Sequence, residues 1–128
     1  MIDHVSIGVR DLERSSAFYD RVLGAIGYER LVERPQTIGF GKKHAEFWLN
    51  LREGTGPLPG DGTHICLRAR DAAMVDGAYS AALSLGAAGD GAPGPRDYTL
   101  GEVYAAFFRD LDGHRIEIVT FPKKADAA

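Results

Sequence analysis

Two histidines and one glutamate are the residues of this chain best suited to chemistry: His4, His64 and Glu117. His4 opens the stretch "HVSIGVRD" and His64 opens "HICLRARD", so one phrase occurs twice, sixty positions apart, each time closing on Arg-Asp. Both stretches alternate with period two, the pattern of a half-buried strand. Val5, Ile7 and Val9 then share one face, and His4, Ser6 and Gly8 share the other. In the second copy Ile65, Leu67 and Ala69 oppose His64, Cys66 and Arg68. Near the end of the chain Ile116 and Ile118 oppose Glu117 in the same way. A carboxylate set between isoleucines is expensive to bury without a partner. Two histidines and a carboxylate on one concave surface make the two-His-one-carboxylate set, which holds a divalent ion and leaves positions open to substrate. Fe, Mn, Zn, Ni and Co all suit such ligands, and the residues alone do not choose among them. Glu117 is then also the candidate catalytic residue, as a general base beside the ion.

These side chains need elements to position them. After the first strand, Asp11 is a candidate N-cap, and Leu12, Tyr19, Leu23 and Ile26 recur at helical spacing before Gly24 and Gly27. Strands follow around "YERLVE", "TIGFG" and "AEFWLNL". Gly and Pro then cluster in "REGTGPLPGDGT" and periodicity is lost, which marks a linker. The second half repeats the plan: "THICLRA" as a strand, Asp71 as a cap, a helix over "AAMVDGAYSAALSLG", then strands in "VYAAFFRD" and "HRIEIVTF". The Gly/Pro-rich interval "AAGDGAPGPRDYTLGE" supports only one short strand, near Ala87 to Gly89. The order β-α-β-β-β, twice, predicts an α+β fold of two pseudo-duplicated modules forming an open curled-sheet barrel around a shared cleft. A single domain is expected over 1–128, with module one at about 1–52, a linker at about 53–62, module two at about 63–122 and a disordered tail over 123–128.

Composition bounds the rest. The chain has 128 residues, 45% hydrophobic and 26% charged, with a net charge of −3, and its Lys and Arg are scattered. Nucleic acid is therefore not an expected partner. No apolar run approaches the roughly 20 residues that span a bilayer, so no membrane association is expected. The N-terminus reads as a strand rather than a signal peptide, and one cysteine suits a reducing, cytoplasmic setting.

"DHVSIGVRDLERSSAFYDRVLG", "GTHICLRARD" and "FFRDLDGHRIEIV" together resemble the vicinal oxygen chelate superfamily: glyoxalase I, extradiol dioxygenases, fosfomycin-resistance thiol transferases and bleomycin-resistance proteins. The resemblance covers essentially the whole chain and is nearest to small glyoxalase-like proteins. It implies paired βαβββ modules around one divalent metal, with His4, His64 and Glu117 as ligands. It implies lyase or isomerase, dioxygenase or thiol-transfer chemistry, in that order, on a small-molecule substrate that is anionic or thiol-linked. A homodimer is also implied. Trp48 falls where glyoxalase I supplies a fourth ligand, and Glu46, two residues earlier on the same face, is the alternative. Substrate-binding candidates are Trp48, Arg68, Tyr98 and Tyr104. Cys66 reads as a small buried residue, while His44 and His114 read as turn residues. The rival reading is a metal-free binding or sequestering protein of the bleomycin-resistance type, its pocket lined by Trp48, Tyr98 and Tyr104.

Overall fold

The structure, a computed structural model, describes residues 1–58, 62–98 and 101–122. The sequence expectation of a disordered tail over 123–128 lies outside the described residues. The chain runs β1 (Val5–Val9), α1 (Leu12–Gly24), β2 (Glu29–Arg34), β3 (Thr37–Gly41) and β4 (Ala45–Leu51), then β5 (His64–Arg68), α2 (Ala72–Ser84), β6 (Ala88–Gly89), β7 (Gly94–Tyr98), β8 (Gly101–Arg109) and β9 (Arg115–Thr120). Two mixed sheets result, with strand orders β1-β4-β3-β2 and β5-β9-β8-β6, and neither closes into a barrel. In each sheet the strand before the helix pairs parallel with the last strand of its module: β1 with β4, and β5 with β9.

Each strand-to-helix corner is closed by its aspartate. Asp11 accepts from the Arg14 amide at 3.0 Å and Asp71 from the Met74 amide at 2.9 Å, which satisfies one of the orphan amides of each first turn. Gly27 and Gly86 take φ of +90° and +105° just past the helices, a conformation that costs a residue with a Cβ. The Gly/Pro-rich interval holds one strand more than its composition suggests. β7 pairs with Gly101–Ala105 and β6 with Phe108–Arg109 along the same edge of β8. An outer edge tolerates Pro95, whose missing N–H is needed by no further strand.

The helix-side faces of both modules merge into one core. Val9, Phe18, Tyr19, Phe40 and Phe47 belong to it from the first module, and Val75, Ala78, Phe108, Ile116 and Ile118 from the second. The seam is polar at one place. The Tyr19 hydroxyl donates to Asp110 Oδ2 at 2.5 Å, and Asp110 Oδ1 accepts from the amides of Asp112 and His114. Asp112 in turn accepts from the Arg10 amide and the Ser15 hydroxyl. His114 donates from Nε2 to the Gly8 carbonyl at 2.7 Å. His114, read from the sequence as a turn residue, is a buried link between the modules.

Burial holds the Asp110 carboxyl above its ordinary range, opposed by the Tyr19 hydroxyl and by His114. A raised carboxyl costs stability while charged, and that cost is relieved as pH falls through the raised value. The Tyr19 bond favours the charged form. Tyr19→Phe should therefore cost about 1–3 kcal/mol near neutral pH. The deficit against wild type should narrow as the medium approaches roughly pH 4. Urea unfolding of both proteins at the two pH values measures this, and a deficit independent of pH would refute the assignment.

Candidate functional site

On the side away from the helices the two sheets carry unlike surfaces. In the second module β5 and β9 place Cys66 beside Glu117 and Arg68 beside Val119. Phe107 of β8 lies beside Glu117 on its other flank. Glu117 is only 4% exposed although it points away from the main core. Its carboxylate is held from both sides: His64 Nε2 donates to Oε1 at 3.1 Å, and the Tyr98 hydroxyl donates to Oε2 at 2.7 Å. Cys66, paired with Glu117 across β5 and β9, is a further polar neighbour of the carboxylate. Among the described residues no buried side-chain nitrogen or oxygen lacks a hydrogen-bond partner.

This carboxylate governs the groups around it. Tyr98 is pushed up to about 12, first by desolvation and then by its bond to Glu117. Cys66 is pushed up to about 12, first by desolvation and then by the negative charge of Glu117, with Arg68 opposing. Both therefore stay protonated at neutral pH, and Cys66 is a thiol rather than a nucleophilic thiolate. By surface area Cys66 is exposed rather than buried, contrary to the sequence reading.

Two cavities lie between the modules. One of about 900 Å³ is lined by residues that include His4, Glu46, His64 and Cys66. A second, of about 420 Å³, runs between β1 and β5 and reaches His114. The two histidines of the repeated phrase thus open on one space. Their side chains differ, however. His4 is solvent-exposed, turns Nδ1 to Asp3 at 2.8 Å, and has its ring centroid 6.5 Å from that of Trp48. His64 turns to Glu117.

The remaining candidates separate by face. Trp48 pairs with Ser6 on β1 just as Glu117 pairs with Cys66 on β5, so it occupies the first module's counterpart of the Glu117 position. Its ring fills the space over Gly39, where a Cβ would come within 2.8 Å, and Arg34 lies over it at 5.8 Å. Glu46 is beside Tyr28, whose phenol is raised first by burial and then by Glu46, and lies 3.7 Å from His44. Arg68 lies on the Glu117 face with its guanidinium over the Phe121 ring. Tyr104 does not join them. It pairs with Pro95 and Thr120 on the helix side, and its hydroxyl donates to Asp76 of α2 at 2.6 Å. In β8 Tyr104 alternates with Val103 and Ala105, which form a small second core on the cleft side. That alternation was the available signal for its direction.

Among the described residues no three His, Cys, Asp or Glu side chains are arranged to hold an ion. His64 and Glu117 come together, but both Glu117 oxygens are engaged and His4 is turned to Asp3. In this arrangement the set implied by the resemblance does not fit a divalent ion.

The Glyoxalase/Bleomycin resistance protein/Dioxygenase superfamily model matches residues 1–118. The chain belongs to that superfamily. A glyoxalase/bleomycin resistance protein from Albidiferax ferrireducens is similar over 93% of this chain and 98% of its own, at 29% identity and a TM-score of 0.85. A glyoxalase-related enzyme from Fulvimarina pelagi, at 19% identity, covers 100% of this chain and 95% of its own with a TM-score of 0.72. A glyoxalase/bleomycin resistance protein/dioxygenase family enzyme from Burkholderia phytofirmans, at 20% identity, covers 93% and 97% with a TM-score of 0.68. The last two likenesses speak for the fold alone. No curated protein matches the sequence. The superfamily includes many enzymes and some non-enzymatic members, and its members bind small-molecule substrates and often form dimers. No helix among the described residues is long and apolar enough to cross a membrane.

The control of Cys66 by Glu117 is measurable, since the chain has one cysteine. In chelator-treated protein at neutral pH, iodoacetamide should alkylate Cys66 roughly a hundredfold to a thousandfold more slowly than a free thiol. Glu117→Gln should recover about tenfold of that and no more, because desolvation is the larger cause. Alkylation at the free-thiol rate in wild type would break the assigned contact.

Proposed function

We propose that the chain is a glyoxalase-like protein that takes a small polar organic molecule in the cleft between its modules, with Glu117 as the group that receives the ligand's proton or hydrogen bond. The buried Glu117 carboxylate, turned away from the main core and held by His64 and Tyr98, carries the reading. A carboxylate kept at such a position is retained against the cost of desolvation, and perturbed groups collected in a cleft mark functional sites. His64 orients the carboxylate. Tyr98 stays protonated and offers a hydroxyl to a ligand that displaces it from Oε2. Trp48 narrows the first module's side of the cleft. As proposed, the protein works as a cytoplasmic homodimer, and the reading covers both an enzyme of the family's lyase, isomerase, dioxygenase or thiol-transfer kinds and a sequestering protein.

A second reading, a metal-dependent enzyme using His4, His64 and Glu117, is favoured by one observation: both histidines line the same cavity. It requires His4 to leave Asp3 and Glu117 to release an oxygen.

Two measurements test these readings. In amide NMR of the labelled protein against a library of small polar compounds, binders should perturb residues 64–68 and 115–119. Glu117→Gln should weaken them by about tenfold or more. Compounds that leave those residues unmoved would defeat the cleft assignment. Plasma mass spectrometry of purified wild type and His64→Ala separates the second reading: about one equivalent of one divalent metal, lost in the variant, supports it, and no metal in either after reconstitution removes it.

A further inference from the structure

Arg68 follows Cys66 on the same face of β5, and its guanidinium lies 4.5 Å from the centroid of the Phe121 ring. Among the described residues it makes no ion pair and no side-chain hydrogen bond. The other arginines of this sheet are committed: Arg115 and Arg109 to Asp90, and Arg96 to the carbonyls of Ala92 and Pro95. Contact with the Phe121 ring attracts the Arg68 guanidinium without neutralising it. Its five N–H donors meet no acceptor among the described residues. Phe121 is 48% exposed and so offers apolar surface at the same place. The first module repeats the device, with Arg34 laid over Trp48 on the cleft side of its sheet.

We propose that the cleft is specific for small carboxylic acids: Arg68 grips the carboxylate, Phe121 supports the apolar body, and Glu117 meets a hydrogen-bond donor on the same molecule. This rests on the cleft reading above and names its substrate class. Arg68 lies opposite Val119, diagonal to Glu117 across the β5–β9 pair, a backbone separation of roughly 8 Å, so the proposed ligand carries its donor within a few bonds of the carboxylate. A flat guanidinium matches a carboxylate through two parallel bonds. One guanidinium beside one buried carboxylate suits a monoanion better than a phosphate dianion, which the Glu117 charge repels.

A panel of hydroxy acids, each matched with its methyl ester and with a phosphate monoester of similar bulk, tests this by thermal shift and amide NMR on the full chain. In wild type the acids should bind at least about tenfold tighter than the esters. Arg68→Gln should erase that preference, bringing the acids to the level of the esters, and Arg68→Lys should restore part of it. Equal binding of acids and esters to the cleft overturns the carboxylate assignment and leaves the cleft reading standing, as does a preference that survives in Arg68→Gln. Tighter binding of the phosphate esters replaces the monoanion with a dianion and equally overturns it. No perturbation of the cleft by any compound, charged or neutral, overturns both.

Discussion

Glu117 lies between Ile116 and Ile118 on a strand buried on both sides, and a carboxylate at 4% exposure must be paired or expelled. Much of the second module can be read as the answer to that requirement. β5 brings His64 to one oxygen and β7 brings Tyr98 to the other. The parallel register that sets Cys66 beside Glu117 adds a third polar neighbour. Removing one partner of such a group costs more than the bond itself is worth, because the charge stays buried. The group is therefore rigid for the same reason that it is chemically interesting. Its contacts fix the position of the carboxylate on the face turned away from the main core.

The same arithmetic operates at the seam. Asp110 is buried with its two oxygens divided between Tyr19 from the first module and two amides of its own turn. Apolar surface could have joined the modules in many registers, since hydrophobic burial is not directional. A buried carboxylate with one phenol in reach admits far fewer. With His114 fixed on the Gly8 carbonyl, the turn before β9 is anchored to β1, and β9 carries Glu117. Position at the seam is thereby passed along four residues to the site.

What the sequence made legible follows from periodicity. Alternation in "HVSIGV" and "HICLRA" predicted the faces of His4 and His64, and Asp11 and Asp71 cap the helices expected of them. The pairing of Trp48 with Ser6 and of Glu117 with Cys66 puts Trp48 and Glu117 at corresponding positions of their modules. β7 was hidden because its Gly and Pro residues suppress the strand signal, while an outer edge tolerates them. Tyr104 was set among the cleft residues although its neighbours Val103 and Ala105 face the other way. The partners of His114 and Asp110 lie about a hundred residues away, a distance over which no local pattern speaks. Faces are local properties; the direction in which an imidazole turns is not.

That last distinction bears on the symmetry of the site. Duplication delivers the same corner twice, yet only one copy ends beside a carboxylate. In the first module the corresponding position holds Trp48, an apolar ring that needs no partner to be half-buried. His4 therefore has nothing on its own sheet to turn inward for, and it pairs with Asp3 at the surface. His64 has Glu117 and turns in. The difference between the two histidines arises on the neighbouring strand, from one residue that is charged in one module and aromatic in the other. A duplicated frame with one such difference gives two unlike sheet faces: a hydrogen-bonded carboxylate on the second module and a ring on the first. That asymmetry comes from the Trp48 and Glu117 side chains rather than from the backbone pairing the two modules share.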